Sequence, residues 1–305
     1  MIKRLQNRIA ESRWALPVCS AYAVAVCLLD GLLQEDTWMQ FVLTGVATLL
    51  VVELNNSNAL IRIYSRMVSC SFLALTLLEP QTIESLDGCI VSLCILAFYL
   101  ILFRAYQDKT ATGCVFYAFA AIGIASMVWV QMLFYVPLLW ILLASNILAM
   151  SPKTFFASIL GLTIPYWFQL AYFLYLGDIT PIGSHFAQLA EFGAPFILNT
   201  PHWEAGKIFI VILTIMGAIH FIRTSFKDKI RTRMLYEMFI AMAFVTIALI
   251  IAQPQHVQTA SRILIVSTAV LTGHFIALTS TKLTNITTIA IIVATIVITA
   301  FNLWM

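Results

Sequence analysis

Apolar residues run along this chain in long blocks, and polar residues collect in short stretches between them. A bilayer core of about 30 Å takes about 20 helical residues. Runs of that size recur eleven times, at 14–33, 37–54, 59–78, 87–104, 111–129, 132–149, 154–176, 206–222, 234–252, 259–280 and 283–303. The pattern predicts an all-α fold, a polytopic integral membrane helix bundle of about eleven transmembrane helices in a single membrane domain over 1–305, with no soluble domain. The stretch 111–149 carries no charge over 39 residues. As one helix it would be about 58 Å long at ~1.5 Å per residue, so the chain must turn, near Trp129 and Gln131, as a tight helical hairpin or a re-entrant pair.

The polar stretches orient the spans. With the N-terminus in the cytoplasm, 15 of the 17 basic residues fall inside, from Lys3, Arg4, Arg8 and Arg13 to Lys282, and only Lys207 and Arg262 fall outside. Cytoplasmic loops are enriched in Lys and Arg, which predicts an N-in, C-out topology. Glu35, Asp36, Glu79, Glu84, Asp87, Asp178, Glu191 and Glu204 lean to the other side. The first apolar run is long enough to span and lacks a small-residue cleavage site, so it reads as a retained span. In the longest outer connection, 177–205, His185, Phe186, Leu189, Phe192 and Phe196 suggest a short amphipathic helix on the membrane surface. His202 and Glu204 in the same region lack zinc-site spacing.

Composition narrows the class. Hydrophobic residues make up 61% of the chain and charged residues 10%, against about 45–50% and about 25% in soluble domains, and the mean hydropathy is +0.95. A soluble fold and intrinsic disorder are both excluded. The formal net charge of +3 is too mild for a nucleic-acid partner, which needs a concentrated basic face. The lipid bilayer is the expected partner. The six cysteines form no C-x-x-C pair, so they read as buried apolar side chains. No nucleotide, dinucleotide, metalloprotease or nucleophile-elbow motif occurs, and neither a cofactor nor a metal is expected.

The most pointed feature is the start of the third predicted span. Asn55, Asn56, Ser57 and Asn58 are turn and N-cap residue types. A helix beginning near Ala59 would aim free N–H groups at the cytoplasmic interface. Arg62 and Arg66 would share a face at i,i+4, with Ser65 and Ser69 beside them. That arrangement suits a phosphate or carboxylate. The other readings are ion pairing, with Glu53 as partner to Arg66, or snorkelling to headgroups. Arg66 lies deeper than Arg62, and its intramembrane cost of about 2.5–3.5 kcal/mol predicts that it faces protein or water. In the tenth span His274 could relay protons or bond a neighbouring helix; His220 is a weaker candidate. In the seventh, Pro165 should kink the helix and free the Gly161 carbonyl. The segment 161–169 is then expected to face protein or a polar cavity, with Tyr166 or Gln169 beside it. The loop Arg223–Arg233, five basic residues with Asp228, should lie on anionic headgroups.

The stretches LIRIYSRMVSCSFLALTLL at 60–78 and LFYVPLLWILLASNILAMSPKTFFASILGLTIPYWF at 133–168 resemble a functionally uncharacterised family of multi-spanning inner-membrane proteins from Bacteroidota, of about this length. The resemblance covers about a fifth of the chain and implies a bacterial cytoplasmic membrane without implying an activity. A looser similarity is to polytopic enzymes that use lipid-linked sugars. The large first outer loop of many such glycosyltransferases is missing here, and a later outer loop, as in glycan polymerases and ligases, is small. Three functions are consistent with these observations: a transporter- or flippase-like protein handling a small, anionic or lipid-linked solute; a non-catalytic scaffold or accessory subunit; and an enzyme acting on a lipid-linked glycan at the outer face.

Overall fold

A computed structural model describes residues 4–31, 37–78, 83, 85–192 and 201–304, with the side chains of 201–204 left aside. Glu35, Asp36, Glu79 and Glu84, expected on the outer side, together with Phe196 and the side chains of His202 and Glu204, lie outside the described residues. Among the described residues there are thirteen α-helices and no strand. They are α1 (Leu5–Ala10), α2 (Ala15–Leu29), α3 (Trp38–Asn58), α4 (Met67–Thr76), α5 (Leu86–Leu102), α6 (Thr112–Val128), α7 (Val136–Ser145), α8 (Pro152–Leu176), α9 (Thr180–Ala187), α10 (Pro201–Thr224), α11 (Ile230–Ala252), α12 (Val257–Leu278) and α13 (Lys282–Trp304). Seven of these, α3, α5, α8 and α10 to α13, belong to segments long and apolar enough to cross a membrane. Shorter apolar helices, α2, α4, α6 and the pair formed by Val130–Tyr135 and α7, occupy the remaining four predicted positions. The turn within the charge-free stretch falls at Trp129, which is extended (φ −140°, ψ 100°).

The connections gather at two poles. At one, Gln6 ties α1 to the turn between α12 and α13, donating from Nε2 to the Ile276 carbonyl at 2.9 Å and from its backbone N–H to Asn285 Oδ1 at 3.0 Å. There too Arg231 donates to Asn58 Oδ1 at 3.0 Å and to the Phe103 carbonyl at 3.1 Å, and the Gln107 N–H reaches the Ile147 carbonyl at 2.8 Å. At the other pole Gln131 Nε2 meets His256 Nε2 at 2.6 Å, and Gln253 donates to the Glu191 carbonyl at 3.2 Å. Asn302 Nδ2 donates to the Leu78 carbonyl there at 2.6 Å.

Helix α12 is the axis of the bundle: every residue from Ala260 to Ala277 is buried. A helix covered on all sides must satisfy its polar groups within protein. Accordingly, Thr268 Oγ1 bonds the Leu264 carbonyl and Thr214 of α10. Arg262, read from sequence as lying outside, is 2% exposed, with its Nη2 3.8 Å from Cys89 Sγ. Helices α8 and α13 are mostly exposed and line the periphery. Their outward Trp167, Phe168, Ile296 and Val297 suit hydrocarbon, not water.

Two backbone crossings pull the bundle together. On α8 the buried positions Thr154, Ser158, Gly161 and Pro165 form one stripe, which packs on α6. A Cβ at Gly161 would collide with the Phe116 carbonyl oxygen, and one at Gly123 would sit 2.6 Å from the Leu162 oxygen. The helix continues through Pro165, and the 161–165 face meets protein. The second crossing brings α12 onto α4, where a Cβ at Gly273 would lie 2.8 Å from Val68 Cα. Small residues permit such approach.

The third predicted span requires a correction. No helix begins near Ala59; α3 runs on to Asn58 and closes at Ala59 in the left-handed conformation (φ 47°). Residues 60–66 are irregular, and α4 starts only at Met67. With 10 residues, α4 is about 15 Å long at ~1.5 Å per residue, half the hydrocarbon thickness. The polar run acts at a helix C-terminus: Ser57 Oγ and Asn58 Nδ2 bond the Glu53 and Leu54 carbonyls at 2.7 and 3.1 Å. Asn55 clamps the connection, accepting from the Ile61 N–H at 3.3 Å and donating to the Ser65 carbonyl at 3.2 Å. Protein encloses part of this connection, and Leu60, Ile61 and Ser65 are all buried.

Candidate functional site

The residues proposed from sequence for one anion site do not share a helical face. Arg62 and Arg66 both sit in or at the end of the irregular 60–66 connection. Arg66 precedes α4 as its N-cap residue, lies over the Tyr64 ring at 5.4 Å and donates to Asn56 Oδ1 at 3.2 Å. The described ion pairs do not join it to Glu53. Ser69 is buried within α4, 1% exposed. Tyr166 lies on α8 and donates to Ser126 Oγ at 2.8 Å; Gln169, one turn on, is half-buried. These two lie toward the opposite pole, where His185 Nε2 contacts the Ser126 carbonyl at 2.9 Å.

The structure instead assembles Arg62 with His274, through a residue that the sequence reading assigned to the headgroup surface. The loop between α10 and α11 turns inward, so the Asp228 side chain is only 5% exposed. Its Oδ2 is 3.1 Å from His274 Nε2, and its Oδ1 is 3.8 Å from Arg62 Nη1. Arg62 Nη1 also donates to the Lys227 carbonyl at 3.2 Å. His274 is 1% exposed and Arg62 47% exposed. The trio therefore runs from a half-open guanidinium through a carboxylate to a buried imidazole.

Aromatic rings enclose the imidazole. Tyr236, Phe221 and His220 lie with ring centroids 4.9, 5.2 and 5.8 Å from His274. Phe221 stacks on Tyr236 at 4.5 Å, and Tyr236 Oη donates to the Leu60 carbonyl at 3.4 Å. Five elements thus position the site: α12 supplies the imidazole, the α10–α11 loop the carboxylate, the 60–66 connection the arginine, and α10 and α11 the ring wall. His274 Nδ1 is buried without a hydrogen-bond partner. The imidazole is thus held by a carboxylate at Nε2 and enclosed by rings elsewhere. The sequence signal that could have found Asp228 is its isolation as the single acid in a loop of five bases. Among the described residues no group of His, Cys, Asp and Glu is arranged to hold a metal. No protein family, curated protein or solved structure matches this chain.

Proposed function

We propose that this multi-span membrane protein is a transporter of a bacterial cytoplasmic membrane, with the α1 pole inside and the C-terminus outside, that moves a small or lipid-linked anionic solute together with a proton. The supporting observation is the buried Asp228–His274 contact beneath the half-open Arg62. Ionisable groups inside membrane bundles are costly and mark ion or proton pathways. In this reading Arg62 receives the anion, and the proton resides on the Asp228–His274 pair between arrival from one side and release to the other. The short α4, entered from irregular chain, is the kind of interrupted helix on which transporters build sites.

Proteoliposomes enclosing a pH-sensitive dye test the reading, with inorganic phosphate and succinate as probes under an imposed proton gradient. Wild type is expected to show probe-dependent proton movement, and Asp228→Asn, checked for folding by size exclusion, to reduce it at least ~10-fold. Probe-independent traces in wild type, or equal movement in Asp228→Asn, overturn it. The orientation is tested separately on a background without native cysteines. Ser184→Cys and Lys229→Cys, both at exposed positions, are expected to react with an impermeant maleimide from opposite sides, Ser184→Cys from outside. Reaction of both from one side contradicts the topology.

A further inference from the structure

We propose that a cleft between α2 and α13 is a lipid site, taking an acyl chain of an anionic phospholipid from the leaflet at the α1 pole. A cavity of about 470 Å³ lies there, within the usual range of ligand sites. Its floor is built by buried residues, Met67 and Cys70 of α4 and Thr272 of α12; its rim includes Trp14, Val18 and Ile296. The rim residues are 75%, 65% and 50% exposed. In a membrane-spanning bundle these exposed apolar groups face hydrocarbon, so the cleft opens sideways into the bilayer and not to water.

Contacts at both poles hold α13 beside α1, α2 and the end of α4. At the α1 pole Gln6 holds Asn285 at the start of α13. At the other, Asn302 bonds the Leu78 carbonyl, and Leu303 packs on the cluster of Ala23, Val26 and Cys27. The opening lies between these fastenings. An empty apolar gap of this size would forfeit dispersion contacts on every wall, and an acyl chain supplies them at no hydration cost.

Two further observations specify the lipid. Thr272 is 2% exposed, and its Oγ1 has no hydrogen-bond partner, unlike Thr268 one turn earlier. It lies six residues, about 9 Å at ~1.5 Å per residue, from the end of α12, the depth at which a lipid ester carbonyl could accept its proton. Beside the cavity, Glu11, Arg13, Ile63 and Tyr64 line a polar space at the same pole, and Arg66 lies over the Tyr64 ring. Two guanidiniums against one carboxylate leave that mouth net positive, which favours a phosphate-bearing headgroup of net negative charge.

Native mass spectrometry of the purified full chain, titrated with phosphatidylglycerol and, separately, phosphatidylcholine, tests the proposal. One saturating phosphatidylglycerol adduct is expected, bound at least ~5-fold more tightly than phosphatidylcholine. Ala74→Trp, which fills the cavity from α4, should remove it. Val18→Trp should do so from the exposed rim without disturbing the core, keeping the test valid if Ala74→Trp misfolds. Arg13→Gln should abolish the headgroup preference while leaving one weak adduct for either lipid. Adducts unchanged in Val18→Trp, or equal affinity for the two lipids in wild type, overturn the proposal. Neither result bears on Asp228.

Discussion

Gly161→Val is expected to lower the stability of the bundle by at least ~3 kcal/mol, seen as a fall in melting temperature of the detergent-solubilised protein. Adding volume to a packed site usually costs ~1–3 kcal/mol, because neighbouring side chains shift. Here the groups in the way are the Phe116 carbonyl oxygen and the Ala120 N–H nitrogen of the facing helix. Backbone atoms cannot move without lifting α6 from α8, so the cost lies at or beyond the upper end. Gly45→Ala provides the contrast: nothing lies within 4 Å of its built Cβ, and replacing glycine within a helix gains ~0.8–1 kcal/mol of propensity. Its melting temperature should be equal or slightly higher. A Gly161→Val protein as stable as wild type would mean that α8 does not depend on this crossing.

That crossing was largely legible in the sequence. Gly161 four residues before Pro165 identifies both a freed carbonyl and a smooth surface, and a membrane leaves few ways to satisfy them other than a close partner. The long apolar runs were legible for the same reason, since a bilayer imposes length and composition on any helix that crosses it. The residues 55–58 were not. Asn and Ser satisfy orphan groups at either end of a helix, and only the path of the backbone decides which. Once α3 extends to Asn58, the geometry expected for Arg62 and Arg66 disappears, because i,i+4 neighbourhood exists only within a helix.

The assembly of Asp228 with His274 was illegible for a different reason. The two residues are 46 apart in sequence, and their contact depends on the α10–α11 loop folding back against α12. Five flanking bases make that loop look like a solvated, headgroup-bound turn. The burial of Arg262 was equally illegible. Charge counting assigns a side of the membrane but not a depth, and it cannot recognise that α12 is enclosed on all sides. Polar residues spread around α12, at Ser261, Ser267, Thr268, Thr272 and His274, are the trace that enclosure leaves in the sequence.

Asp228→Ala is expected to destabilise the protein by ~1–3 kcal/mol, the cost of removing one partner from a buried hydrogen bond and leaving the other unsatisfied. His274 would lose the bond to Nε2, and its Nδ1 already lacks one among the rings of Tyr236, Phe221 and His220. Arg62→Ala should cost no more than ~1 kcal/mol, because Arg62 is 47% exposed and 3.8 Å from the carboxylate, and exposed pairs contribute little. Arg66→Leu should be comparably mild, since its hydrogen bond to Asn56 is exposed. This removes the difference that a helix through 59–78 implies, in which Arg66 is the deep residue and the more sensitive one. Melting curves of the three variants in one detergent decide between the two arrangements. A destabilisation largest for Arg66→Leu, with Asp228→Ala near wild type, would place the anion-facing arginine back on a helix and remove Asp228 from the core of the site.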